Sequence, residues 1–310
     1  MTQVRTETPA GPAPAGERRR GARQRHTRGL LLLAAPSVVW YLIFTIGPLA
    51  AMFAVAFMDW HGLAAPASFS GAENLTKLAG DPRIYTALGN TAIHLFGSLP
   101  VMMVAAFMLG YFLNLRPPGH RLLRVIMFIP ALISLSALGM LFVAVLGPTG
   151  LVNSVLTEVG LGEHATAWLA NSGTAMPALI VVTIWSGTGF TAILFAARLS
   201  AIDEEIYAAA DLDGANHWQK MWRIAFPIVR DYFGVLTMLQ YLWTLFGSAG
   251  LILLLTRGGP GEATSTLSWL VWRFGFRQID IGYSQAVGLL LFVLGMAGLV
   301  IIRNAFRASH

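Results

Sequence analysis

The chain has 310 residues, of which 55% are hydrophobic and only 12% are charged. So few charged side chains could not cover a water-soluble protein with this apolar content, which indicates that lipid is the solvent. The net charge of +6 does not favour nucleic-acid binding, because the basic residues flank apolar runs rather than polar aromatic residues. The lack of cysteine excludes disulfides and thiolate chemistry, and the seven scattered histidines do not form a metal-binding pattern.

The first 28 residues form a basic tail that contains the stretch TPAGPAPAGERRRGARQRHTR. A segment so rich in Pro, Ala, Gly and Arg cannot build a hydrophobic core, so residues 1–28 are predicted to be disordered. The apolar run that follows is too long for a cleaved signal peptide, and we expect the tail to be retained.

Residues 29–305 are predicted to form an all-α polytopic membrane domain. A helix needs about 20 apolar residues to cross roughly 30 Å of hydrocarbon. Six runs are long enough: 30–58, 85–113, 122–146, 175–199, 228–255 and 281–302. Proline interrupts three of them, at Pro36, Pro48, Pro100 and Pro130. Such prolines are tolerated where neighbouring helices satisfy the freed carbonyl groups, which predicts kinked helices in a bundle.

The basic residues predict the orientation of the six spans. Sixteen of the 21 Lys and Arg residues lie in the tail, after the second and fourth spans, and at the C-terminus. The positive-inside rule therefore places both termini, including residues 306–310, and the segment 200–227 in the cytoplasm. Residues 59–84, 147–174 and 256–280 are expected to face outward. The predicted location is a bacterial or archaeal-type cell (inner) membrane.

The sequence offers no catalytic residues. The spans hold almost no ionisable side chains, and His94 is interpreted as a packed, hydrogen-bonded histidine. A phosphate-binding G-x-x-x-x-G-K-[ST] loop is absent, since neither lysine, Lys77 or Lys220, follows a glycine. We expect no enzyme, no metal site and no cofactor in this chain, so ATP and Mg²⁺, if used, bind to another subunit.

The segment 200–227 differs in character from the spans around it. Its central part, IDEEIYAAADLDGANHWQKMWRIAFPIV, predicts two short helices joined by a hinge. Gly214 suits the left-handed conformation that ends a helix, Asn216 suits an N-cap, and Pro227 is expected to stop the second helix. In that second helix Trp218 is predicted to share a face with Met221, Trp222 and Ala225, while His217, Lys220 and Arg223 form a polar face. An amphipathic helix resting on the membrane surface is the alternative interpretation.

This segment resembles the cytoplasmic signature of the permease subunits of binding-protein-dependent ABC importers. That signature reads roughly E-A-A, three residues, G, nine residues, then a hydrophobic stretch ending in proline, and the chain has AAADLDGA with FP at the expected distance. Further matching stretches include NLTKLAGDPRIYTALGNT, RVIMFIPALIS and LTRGGPGEATSTLSWLVWRFGF. Over residues 30 to 305 the chain is similar to the six-span permeases of the sugar and glycerol-phosphate branch.

The resemblance implies a type I ABC importer permease fold with cytoplasmic coupling helices. It also implies the partners: a second permease in a heterodimer, two ATPase subunits, an extracytoplasmic solute-binding protein and the lipid bilayer, with no nucleic acid. The residues that it assigns to ATPase coupling are Glu204, Glu205, Tyr207, Ala208, Ala209, Ala210, Asp213, Gly214, Ala215, Trp218 and Pro227.

The chain departs from the family pattern at four positions. Ala208 replaces the usual glutamate, and Asp211 stands where a basic residue is common. The acidic contact with the ATPase is therefore expected to move to Glu204 or Glu205. Gly250 and Thr191 replace a common Asp and a common Asn, so no particular sugar is carried over.

The implied function is translocation of a sugar or related polar solute by alternating access. Carbohydrate sites combine aromatic faces with a few polar groups. The candidates for the substrate path are Trp185, Thr188, Thr191, Gln240, Tyr241, Trp243 and Ser248. A stand-alone secondary transporter or channel is the alternative, and it would need a coupling carboxylate or a polar pore that the spans lack. A membrane scaffold without transport is a third possibility, less consistent with kinked spans.

Overall fold

The computed structural model describes residues 34–62 and 64–307. The predicted disordered tail, residues 1–28, lies outside this part of the chain, as do residues 308–310. The chain divides into two compact units, Met1–Met52 and Phe53–His310. The described part of the first unit lies in helix α1, Ala34–Val55, which contains a π-helical turn at Leu42–Ile46, followed by Gly47 and Pro48.

After the end of α1, the second unit continues with two short strands and a short helix. Strand β1, Met58–Asp59, pairs antiparallel with β2, Ser68–Phe69. Helix α2, Glu73–Gly80, follows, and its buried Asn74 donates hydrogen bonds to the carbonyl oxygens of Ala56 at 3.1 Å and Met58 at 2.9 Å. These bonds hold residues 56–58 against α2 within the second unit.

The helices then follow in this order: α3, Pro82–Asn114; α4, His120–Leu132; α5, Leu135–Val145; α6, Leu151–Glu158; α7, Ser172–Leu199; α8, Glu204–Leu212; α9, His217–Leu255; α10, Leu267–Trp272; α11, Ile281–Phe306. By length and composition α1, α3, α7, α9 and α11 can each cross a membrane within the described residues. The second, fourth and sixth predicted spans are confirmed as continuous helices, α3 remaining unbroken through Pro100.

The third predicted span is not one helix. Helices α4 and α5 meet at an angle of 102° over Ile133 and Ser134, just after Pro130. The Ser134 hydroxyl accepts a hydrogen bond from the backbone N–H of Ala137 and so caps the start of α5. The break predicted at Pro130 is confirmed, but it is a sharp bend with a new helix start rather than a kink, because an apolar run of this length does not reveal a cap inside it. The pair counts as a sixth span only if both arms are taken together.

The fifth predicted span begins earlier than expected. Helix α9 runs without a break from His217 and passes through Pro227. A π-helical turn at Lys220–Ala225 precedes the proline, and the Phe226 N–H bonds to the Met221 carbonyl. Pro227 therefore lies in the first turn after a shift in hydrogen-bond register, where its missing N–H costs little, and the prediction that it stops the helix was wrong.

The core lies where α3, α7 and α9 meet. Phe107 of α3 packs edge-on against Phe195 of α7, with ring centroids 5.4 Å apart, and Phe195 packs against Phe233 of α9 at 5.3 Å. Gly110 allows α3 and α7 to approach closely, because a Cβ there would lie 2.7 Å from the Ala192 carbonyl oxygen. This aromatic core holds α7, which precedes the segment 200–227, against α9, which begins inside that segment.

Candidate functional site

The segment 200–227 folds into two capped helices joined by a tight turn. Helix α8 begins after Asp203 and carries Glu204 and Glu205 in its first turn, where negative charge interacts favourably with the helix dipole. All three acidic side chains are exposed. The predicted first helix is thus confirmed, with its start at Glu204 rather than Ile202.

The turn after α8 has the geometry that the sequence predicts. Gly214 has φ +75°, the left-handed region that favours glycine. The Ala215 N–H bonds to the Ala210 carbonyl at 2.9 Å, and the Gly214 N–H bonds to the Asp211 carbonyl at 3.1 Å. This pair of bonds is a Schellman motif, which ends the helix and satisfies its last carbonyl groups.

Helix α9 begins with a reciprocal cap. The Asn216 side chain accepts from the Gln219 N–H, and the Gln219 side chain accepts from the Asn216 N–H, both at 2.9 Å. The predicted N-cap is therefore confirmed, with a capping-box partner that the sequence analysis did not name. Hydrogen bonds on both sides of Gly214 therefore hold the backbone of the turn locally.

The faces predicted for the second helix are wrong in two respects. Trp218 is 58% exposed, whereas Met221 and Ala225 on the same predicted face are buried. Lys220, predicted on the polar face, is buried and forms an ion pair with Asp211 of α8. The π-helical turn shifts the helical period after Gln219, so a face drawn at 3.6 residues per turn no longer holds.

The predicted coupling residues differ in exposure. Glu204, Glu205, Ala208, Ala209, Asp213, Gly214, Trp218 and Pro227 are exposed, Tyr207 and Ala215 are partly buried, and Ala210 is buried. Leu212, which the prediction did not include, is 91% exposed beside the turn. Burial raises the pKa of the Tyr207 phenol to about 12, and the nearby Tyr111 adds to this shift. Ala210 therefore packs inward, while the other small residues of α8 form a smooth exposed face.

A second candidate site is an open cavity of about 580 Å³ lined by α3, α4, α5, α7 and α9. Three predicted substrate-path residues line it: Gln240, Trp243 and Ser248. Thr191 lies behind Gln240 and accepts a hydrogen bond from its side chain at 2.8 Å. The volume lies in the range of small-molecule sites, and an aromatic ring beside a few polar groups is typical of them.

The other three predicted substrate-path residues lie off the cavity wall. Tyr241 donates its hydroxyl to the Leu294 carbonyl of α11 at 2.7 Å. Thr188 donates to the Ile184 carbonyl within its own helix, and Trp185 packs edge-on against Phe142 at 5.3 Å. These side chains stabilise helix packing in this conformation.

Several polar residues of the cavity were missed by sequence reasoning. The wall includes His94, Thr183, Ser186 and Thr244. His94 Nε2 lies 2.9 Å from the Thr183 hydroxyl, which makes this pair a polar patch on an otherwise apolar wall. Thr183, Ser186, Gly187 and Phe190 follow helical spacing along one face of α7, a signal that the sequence contained. No Asp, Glu, Lys or Arg lines this cavity among the described residues.

A network of polar side chains lies at the start of α3, at the end of that helix far from α8. The Asp81 carboxylate caps α3 and accepts hydrogen bonds from Arg83 Nε at 2.9 Å, Arg83 Nη2 at 2.7 Å and the Tyr283 hydroxyl at 2.8 Å. The Arg83 hydrogen bonds lower the pKa of Asp81 to about 2, although burial opposes this shift. The network ties the start of α3 to the start of α11. In the described part of the chain, no three His, Asp or Glu side chains are grouped so as to hold a metal ion.

Comparisons with known proteins agree with this geometry. The family described as binding-protein-dependent transport system inner membrane component matches residues 102–308. This chain belongs to that family. It is therefore an inner-membrane, multi-pass permease component rather than an enzyme. The matched region contains α8, the turn at Gly214 and most of the cavity.

Individual relatives match over nearly the whole permease. The diacetylchitobiose uptake system permease protein NgcF of Streptomyces coelicolor is 30% identical over 98% of this chain and 89% of its own length. The arabinooligosaccharides transport system permease protein AraP of Bacillus subtilis is 29% identical over 95% and 94%. Among solved structures, a chain of a bacterial ABC transporter involved in the import of the acidic polysaccharide alginate superposes with a TM-score of 0.78 at 24% identity, over 92% of this chain and 98% of that one. That likeness supports the type I importer permease fold.

Proposed function

We propose that this permease is one of two membrane subunits of an ATP-driven importer that moves a sugar or related polar solute by alternating access. The segment α8–turn–α9 carries the proposal, because its exposed helix is continuous, through one capped turn, with a membrane-spanning helix. A force on α8 would reach α9, and through it the cavity wall at Gln240 and Trp243.

The proposed partners follow from this arrangement. A separate ATPase pair binds ATP and Mg²⁺ and receives α8 in the cytoplasm, a second permease completes the translocation path, and a solute-binding protein delivers ligand outside. Both termini are proposed to be cytoplasmic, since the basic residues cluster on the side of α8. An acidic helix among basic cytoplasmic loops suits a basic docking surface on the ATPase.

The chemistry of the cavity supports a solute rich in hydroxyl groups. Among the described residues no Asp, Glu, Lys or Arg lines the cavity, so this chain's part of the wall offers hydrogen bonds rather than ion pairs. The Gln240 amide and the His94–Thr183 pair can instead exchange hydrogen bonds with hydroxyl groups, and Trp243 offers an aromatic face. NgcF and AraP are named for oligosaccharide uptake, which is consistent with this solute class.

A substitution on the cavity wall tests the proposed path. Gln240→Leu is expected to raise the KM for solute uptake about tenfold or more, because a lost hydrogen bond of about 1–3 kcal/mol leaves a hydroxyl unpaired. Tyr241→Phe is the matched control on the same helix, since its hydroxyl bonds to α11 instead. Equal KM values in Gln240→Leu and the unmodified importer would remove Gln240 from the path.

A further inference from the structure

The half-buried ion pair between α8 and α9 has no role in the fold described so far. Lys220 lies in the first turns of α9 and pairs through Nζ with the Asp211 carboxylate of α8, nine residues earlier. The lysine side chain is 9% exposed, whereas that of Asp211 is 62% exposed. Lysine is rarely buried to this degree unless it is paired.

The pair spans the turn that would otherwise be the most deformable point of the segment. Gly214 has no heavy atom within 4 Å of where a Cβ would lie, so no side chain packs against the turn at that point. The Schellman motif and the capping box hold the backbone locally, but neither joins a side chain of α8 to a side chain of α9. The Asp211–Lys220 pair makes that connection.

The surroundings of Lys220 make the connection strong. The lysine lines a pocket of about 320 Å³ with Tyr111, Tyr207 and Arg116, and the other charged or titratable groups there are Glu204 and His217. The hydroxyl groups of Tyr111 and Tyr207 are buried without a hydrogen-bond partner, so neither accepts a hydrogen bond from the Lys220 ammonium in place of Asp211. An ion pair with one partner out of water is screened by salt much less than an exposed pair.

We infer that Asp211 and Lys220 act as a strut, which makes α8 and α9 move as one lever when the ATPase pulls on α8. Lys220 is a positioning residue: it touches neither solute nor ATPase and acts through the angle of α8. This inference rests on the proposed function. It predicts that the charge pair is needed for coupling between ATP hydrolysis and uptake, beyond any need for it in folding.

Distance measurements test the strut directly in the assembled importer. The chain has no cysteine, so with cysteine-free partner subunits spin labels at Ile206→Cys and Arg223→Cys report the α8–α9 distance, and neither position is among the predicted coupling residues. The native pair should give one narrow distance distribution, and Lys220→Met or Asp211→Asn should broaden it. Asp211 is exposed, so its variant is measurable even if Lys220→Met does not fold. Lys77→Met is the matched control, because it removes the exposed Lys77–Asp280 ion pair at the opposite end and should leave the distribution narrow.

Coupling is measured in the same samples as solute molecules imported per ATP hydrolysed. Each neutral variant should lower this ratio about five- to tenfold, at the low end of allosteric coupling. The charge swap Asp211→Lys with Lys220→Asp should recover part of the ratio, which a purely structural effect of either residue would not. A narrow distribution and an unchanged ratio in Asp211→Asn would overturn the strut. A native importer that hydrolyses ATP without uptake would instead overturn the proposed function, while the distance measurement still decides the strut.

Discussion

At the scale of single residues, the functional segment depends on the positive φ of Gly214. A left-handed backbone costs an L-residue about 1–2 kcal/mol, more for a β-branched side chain, whereas asparagine is tolerated. Space is not the constraint, since nothing lies within 4 Å of a Cβ at this position. The torsion itself therefore sets which residues the turn accepts.

Gly214→Val should allow membrane insertion but abolish coupled uptake, because the turn can no longer direct α8 toward the ATPase. Gly214→Asn should retain most activity. Gly160→Val is the matched control: Gly160 has φ +83° and equally open surroundings, so it carries the same strain away from α8. Solute-stimulated ATPase activity in the reconstituted importer is the measurement, and normal stimulation in Gly214→Val would contradict the role of the turn.

Asp81 makes a second prediction at this scale, on pH. Its pKa is about 2 in the folded protein, below the ordinary value of 3.8, so it contributes about 2 kcal/mol of stability above pH ~4. This contribution is lost as the pH falls toward 2, when the carboxylate that accepts from Arg83 and Tyr283 is protonated.

Thermal unfolding of Asp81→Asn in detergent measures the effect. The variant should unfold at a lower temperature at pH 7, and the difference from the unmodified protein should shrink between pH 4 and pH 2. Asp59→Asn, at a carboxylate that is 58% exposed and pairs only with His61 among the described residues, should change stability by less than about 0.5 kcal/mol. A pH-independent difference for Asp81→Asn would argue that packing, not charge, is responsible.

At the scale of elements, helix α8 carries two exposed glutamates, but neither stands at the position of the single glutamate in the family signature. Ala208 cannot make an ionic contact, but Glu204 and Glu205 lie one turn earlier and are exposed. They also lie at the positive end of the helix dipole, which stabilises their negative charge. Among the described residues neither forms a salt bridge within this chain.

Charge reversal of both glutamates to lysine should weaken co-purification of the ATPase, since two attractions become repulsions. The loss should grow as salt is lowered, because screening then no longer masks the repulsion. Reversal of Glu158, an exposed acid at the end of α6, is the matched control. Unchanged assembly of the Glu204/Glu205 variant would leave the apolar residues of α8 as the docking contact.

At this scale the sequence predicted local features, a helix end and a helix cap, correctly. The left-handed Gly214 and the Asn216 cap follow from residue types at fixed offsets, and both were correct. Pro130 predicted a break in the third span, but the new helix start at Ser134 and the continuity of α9 through Pro227 depend on hydrogen-bond registers that an apolar pattern does not encode. Lys220 was placed on a polar face for the same reason, because the π-helical turn that buries it has no sequence signature of its own.

At the scale of the whole molecule, the cavity depends on contacts distant in sequence. His94 and Thr183 lie 89 residues apart, and Gln240 and Thr191 lie 49 apart. Composition and span count predicted the class of protein, and the resemblance predicted the importer fold. Of the seven substrate-path residues, only Gln240, Trp243 and Ser248 line the cavity, because residue type cannot tell which side of a long helix faces it.

The central claim is that this permease imports solute only when a separate ATPase is attached through α8. The most direct measurement is uptake of a labelled neutral oligosaccharide into proteoliposomes that contain this chain with its paired permease and ATPase, with and without ATP and the solute-binding protein. Accumulation that requires both, and that is lost in Gly214→Val, is the predicted result. Uptake by this chain alone, down a gradient and without ATP, would contradict the claim.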